Sequence, residues 1–181
     1  MTVIAAAWSP EAIVALIVGL TSAVGAVLTW WLNGVRAERT RLQKLYADAF
    51  AAVVSYQEFP YVIRRRRAPL AGHEEIGNDE RLRISDALSA VQEALNNYHA
   101  QIRTEAPTVS QRYEALVTAT RRVAGRYMHD AWQTPPLDND AGMNVAHIDY
   151  HALEEPQQGY LDAAQADLRF FRVALPFVRH W

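Results

Sequence analysis

The chain has no cysteine in its 181 residues. That excludes a disulfide framework, a thiol nucleophile and any zinc or iron–sulfur site built on thiolates. Lysine is almost missing too: Lys44 stands alone against 17 arginines. Chemistry rarely demands such a ratio, and a GC-rich bacterial or phage coding sequence accounts for it. The eight glycines are scattered, so there is no glycine-rich phosphate loop. Ser55, Ser85, Ser89 and Ser110 lie outside any G-x-S-x-G elbow, which leaves nucleophilic catalysis without a motif. No segment alternates polar and apolar residues as a strand does. A net charge of −2 does not make the whole molecule a binder of polyanions. With 50% hydrophobic and 21% charged residues, the chain is too apolar to be disordered and long enough for one domain.

One absence is local. Ala12–Leu32 is a run of 21 residues without a charge. As a helix rising roughly 1.5 Å per residue it covers about 30 Å, the thickness of a hydrocarbon core. Trp8 precedes it and Trp30 and Trp31 close it, where interfacial aromatics sit. A secretory signal fits poorly, because Met1–Glu11 holds no Lys or Arg and no small-residue cleavage site follows. The core helix of a soluble protein would show a polar face, and this run shows none. Thr21, Ser22 and Thr29 are able to bond back to their own helix. Arg36, Arg39, Arg41 and Lys44 follow the span, against Glu38 alone, while the preceding flank has only Glu11. The positive-inside rule then places the N-terminus outside and residues 33–181 in the cytoplasm of a bacterial inner membrane. Small residues at Ala15, Gly19, Ala23 (or Ser22) and Ala26 form a ridge suited to close approach of a second span.

Beyond the span, four segments repeat apolar residues in steps of three and four, the seam of helical bundles and coiled coils. Over 35–59 the stripe is Leu42, Tyr46, Ala49, Val53 and Tyr56. Over 79–106 it runs from Ile84 through Leu88, Val91, Leu95 and Tyr98 to Ile102. Over 109–132 it runs from Tyr113 through Leu116, Thr120, Ala124 and Tyr127 to Ala131. Over 157–181 it is Leu161, Ala164, Leu168, Phe171, Leu175 and Val178. Boundary residues agree: Asn78 or Asp79 as a cap, Pro107 as a stop, and Thr108 with Gln111 as a capping box. Thr134-Pro135-Pro136 stops the third segment, Pro156 suits the first turn of the fourth, and Pro176 kinks or shortens it. The expected fold is all-α: one transmembrane helix followed by a cytoplasmic antiparallel four-helix bundle. The connection Gln133–Glu155 is long enough to hold a short helix near Val145–Leu153.

Three groups of residues invite a functional reading. Arg64, Arg65, Arg66 and Arg67 form a continuous basic run after Phe59-Pro60-Tyr61. Residues 33–67 hold eight basic and three acidic side chains, whereas 68–181 hold ten and sixteen. The run therefore either solvates a loop and pairs with the acidic half, or binds an acidic protein partner or lipid. Nucleic acid is disfavoured, since no extended basic surface with stacking aromatics accompanies it. If the bundle stands upright, the run sits about 40 Å from the bilayer. His147 and His151, with Asp149 between them, share a helical face and could ligate a divalent metal, but the glutamate of H-E-x-x-H is absent. Phe177 to Trp181 mixes aromatics and cations, which places Trp181 with the interfacial residues.

The span followed by Arg36-Ala37-Glu38-Arg39-Thr40-Arg41 and a Tyr-rich helix resembles small single-span proteins of GC-rich bacteria and their phages. That resemblance implies no activity and no site residues. The reading is a non-enzymatic, cofactor-free membrane protein that binds a protein partner or self-assembles. An oligomerising membrane effector, such as a phage-exclusion or toxin-like protein, and a metal-dependent enzyme using His147 and His151 are the alternatives.

Overall fold

In a computed structural model the described residues are 10–66, 74–135 and 148–169. Among them every regular element is helical: α1 (Pro10–Arg64), α2 (Glu74–Glu105), α3 (Pro107–Gln133), a 3-10 turn (His151–Leu153) and α4 (Glu154–Asp167). Two compact units divide the chain, residues 1–41 and 42–181.

The first unit holds the uncharged half of α1. Its described large apolar side chains face outward: Val14, Val18, Leu20, Val24, Val27 and Leu28 are 52–66% exposed and Trp30 is 77% exposed. The Thr21 hydroxyl donates to the Val18 carbonyl at 3.0 Å and the Thr29 hydroxyl to the Gly25 carbonyl at 2.8 Å. Both threonine hydroxyls of this otherwise apolar stretch are thus satisfied within the helix. It is the one helix, among the described residues, long and apolar enough to cross a membrane.

The second unit is an antiparallel four-helix bundle. Leu42, Tyr46, Ala49, Val53 and Tyr56 are all buried, and the stripe continues through Pro60 and Ile63. The expected stop at Phe59 is therefore corrected: α1 runs through Pro60 to Arg64. Proline costs the helix one backbone bond, but here its ring lies fully buried in the bundle, and packing outweighs the loss. Helix α2 starts at Glu74, which puts Asn78 and Asp79 inside it instead of at its cap. Ala106 alone joins α2 to α3 and makes a tight hairpin. Pro107 then opens α3 at its first turn, where its missing N–H costs nothing, so Thr108 is not the cap and no side chain caps this end. At the other end Thr134 is extended, as a residue before proline must be, and the helix stops.

Helix α4 departs furthest from the stripe read in the sequence. Tyr160, Ala164 and Asp167 face the core, while Leu161 is 44% exposed and Leu168 half-buried. The helix turns off after Asp167, where the Leu168 N–H returns to the Ala164 carbonyl at 3.1 Å. Phe171, Leu175, Pro176 and Val178 lie outside the described residues. Of the short helix expected near Val145–Leu153, the described part holds only the 3-10 turn His151–Leu153, while residues 145–147 lie outside the described residues; Pro156 does fall in the first turn of α4.

Candidate functional site

The four consecutive arginines separate. Arg64 ends α1 half-buried, Arg65 is exposed, and Arg67 lies outside the described residues. Arg66 is only 6% exposed. Its Nη1 donates to the Ile63 carbonyl at 2.9 Å and to the Ala131 carbonyl at 2.7 Å. Its Nη2 donates to the Trp132 carbonyl at 3.1 Å and to the Thr134 carbonyl. The guanidinium carbon lies 4.9 Å from the centre of the Trp132 ring, within cation–π range. Ala131 and Trp132 belong to the last turn of α3, whose carbonyls have no helical partner and carry the negative end of the helix dipole. Burial lowers the Arg66 pKa, and the nearby Arg81 lowers it further. Arg66 is thus corrected from a docking cation to a tie between the C-terminal ends of α1 and α3. A sign of this was present in the sequence: the seam Tyr56, Pro60, Ile63 steps next to Arg66 or Arg67.

A second polar set lies in the bundle interior. The Tyr46 hydroxyl donates to Asp167 Oδ2 at 2.7 Å, and Asp167 is buried. Tyr160 donates to the Tyr46 carbonyl at 2.9 Å, Tyr113 to the Ala49 carbonyl at 3.3 Å and Tyr150 to the Gln57 carbonyl at 2.5 Å. Helix α1 is thereby an acceptor rail for tyrosines from α3, α4 and the segment before α4. These contacts climb α1 while descending from α4 to Tyr150, which fixes α4 antiparallel to α1. The Tyr113 and Tyr160 rings are tilted at 5.4 Å, and Phe50 stacks on Tyr160 at 6.2 Å. Burial pushes the Tyr113, Tyr150 and Tyr160 hydroxyls well above their ordinary range. They stay protonated and act as donors. Tyr46 and Tyr113 stood on the expected seams; Tyr150, Tyr160 and Asp167 did not, because their roles depend on which face of α4 meets α1.

His151 is 80% exposed in its side chain and pairs with Glu154 at 3.0 Å. The Glu154 carboxylate raises its pKa first by hydrogen bonding and then by charge, with a smaller contribution from Asp149. Asp149 Oδ1 accepts the His151 backbone N–H at 2.9 Å, an Asx turn into the 3-10 element. His147 lies outside the described residues, and among the described residues no group of three metal-ligating side chains converges.

An open groove of about 730 Å³ runs between the first turns of α3 and one face of α4. Its polar lining comes from Thr108, Arg112, Glu155, Gln158 and Asp162. One cation against two carboxylates gives this lining a formal charge of −1.

Of the span residues named from the sequence, Gly19, Ala23, Ala26, Trp30 and Trp31 are exposed on α1. The Ala15 side chain, Trp8 and Trp181 lie outside the described residues. Comparison with protein-family models, with curated proteins and with solved structures finds no match to this chain.

Proposed function

We propose that this chain is a single-span membrane protein of a bacterial inner membrane. Its helical bundle would serve as a cytoplasmic module that works by binding a protein partner or a second copy, rather than by catalysis. The observation that supports the membrane reading most is the outward-facing apolar half of α1. The hydrophobic window that qualifies it as a span is only 6% buried. Apolar area of that extent is stable against lipid and not against water. The arginines after Trp31 support the cytoplasmic side for the bundle. Tyrosine donors fastened to backbone carbonyls support a rigid module whose buried polar groups hold shape.

A reporter fused after Trp181 tests the topology. A cytoplasmic reporter should be active there and a periplasmic one silent; the reverse pattern would overturn the orientation. Extraction of membranes at alkaline pH tests the span, since the chain should remain with the bilayer. In-membrane crosslinking tests whether Gly19, Ala23 and Ala26 face a second copy: leucine at Gly19 should reduce a dimer band.

A further inference from the structure

The basic segment after the span is not uniform in charge once its pairs are assigned. Glu38 accepts from Arg41 Nε at 2.9 Å and from Arg41 Nη2 at 2.8 Å, a two-pronged pair. Lys44 Nζ donates to Asp48 Oδ2 at 2.7 Å. Both acidic residues of 33–48 are thus engaged within the helix, Glu38 by Arg41 one turn further from the span and Asp48 by Lys44 one turn nearer to it. Arg36 and Arg39 are exposed and make no ion pair among the described residues. They lie on one helical face, three residues apart, and begin five residues after Trp31. At about 1.5 Å per residue that is roughly 8 to 12 Å beyond the tryptophan pair, a distance comparable to the headgroup layer. Helical side chains lean toward the N-terminus of their helix, which here is the side of the span.

We infer that Arg36 and Arg39 form a binding site for the phosphate of an anionic phospholipid at the end of the span. The inference rests on the membrane reading of α1 and adds a lipid class to it. Charge complementarity carries it: two guanidinium groups with no carboxylate partner among the described residues lie at headgroup depth, and guanidinium binds phosphate through paired donors. Arg41 and Lys44 are neutralised within their own helix and contribute little. The site therefore depends on two named residues and not on the net charge of the segment.

The test uses the full chain reconstituted in vesicles of phosphatidylcholine, with and without phosphatidylglycerol. Brominated versions of each lipid quench tryptophan on contact, and Trp30 and Trp31 adjoin the site. Brominated phosphatidylglycerol should quench more strongly than brominated phosphatidylcholine at equal fractions. The Arg36→Gln/Arg39→Gln variant should lose that preference, by about five-fold in relative affinity for each arginine. Lys44→Gln should retain it. Equal quenching by both lipids in the unchanged chain would overturn the site while leaving the span intact. An equal loss in Lys44→Gln would overturn it in favour of diffuse charge. Absence of quenching by either lipid would instead overturn the span itself, and the site with it.

Discussion

Arg66 donates to four carbonyl oxygens, among them two in the last turn of α3, and so leaves the surface. Its neighbour Arg65 has the same chemistry and stays exposed. Removing the buried guanidinium would leave those carbonyls short of a partner. Arg66→Gln should therefore cost about 2–4 kcal/mol in urea unfolding, whereas Arg65→Gln should change stability by less than about 0.5 kcal/mol. Equal effects would show that the tie does not hold. The buried Tyr113 and Tyr160 and the half-buried Tyr150 make a pH prediction. Tyr113, Tyr150 and Tyr160 have raised pKa values because burial disfavours the phenolate. A group held above its unfolded pKa contributes full stability below that value and loses it as pH rises beyond it. The bundle should lose stability above the ordinary tyrosine pKa of about 10. In an alkaline titration these three should ionise only as far-UV dichroism falls, after the exposed tyrosines. Early, complete ionisation with helicity intact would contradict the burial.

At the scale of elements, the seams were legible wherever a helix had one apolar stripe. Leu95 is 1% exposed, as its mid-stripe place on α2 implies. Leu95→Ala should lower stability by about 2–5 kcal/mol. Leu161 read as the same kind of residue, yet it is 44% exposed. Leu161→Ala should cost less than about 0.5 kcal/mol. Thermal melts of the two variants side by side check both values. The α4 stripe misled because Tyr160 and Leu161 are adjacent and both apolar enough to face inward. The choice fell to the tyrosine, whose hydroxyl reaches the Tyr46 carbonyl while Asp167 receives the Tyr46 hydroxyl. Local rules failed likewise at Pro60 and at Asn78–Asp79, where helices continue through residues that often end or begin them. Propensity of that size, about 3 kcal/mol for proline and less for the others, yields to tertiary packing.

The molecule as a whole combines two kinds of surface. Residues 42–181 bury their own core, so this unit has what it needs to fold without lipid. Removing residues 1–33 should give a helical protein that stays in solution and unfolds cooperatively on heating. Persistent sedimentation with membranes would place a second anchor in the bundle. Broad, uncooperative melting would show that the unit depends on the span.

By itself the sequence determined the helical class, the uncharged run in a helix long and apolar enough to cross a membrane, and most seam residues. These follow from periodicity and from the absence of charge, which are properties of neighbours along one chain. Of Thr21, Ser22 and Thr29, expected to bond back to their own helix, Thr21 and Thr29 are seen to do so. Only the tertiary structure decided which of Arg64, Arg65 and Arg66 is buried, which face of α4 meets α1, and which carboxylates already hold an arginine or a lysine. Arg64, Arg65 and Arg66 are the same residue type in consecutive positions, and Arg66 is the one seen to meet the end of α3. A hydrogen bond between Tyr46 and Asp167 joins residues 121 positions apart, and no local pattern specifies the partner across that distance.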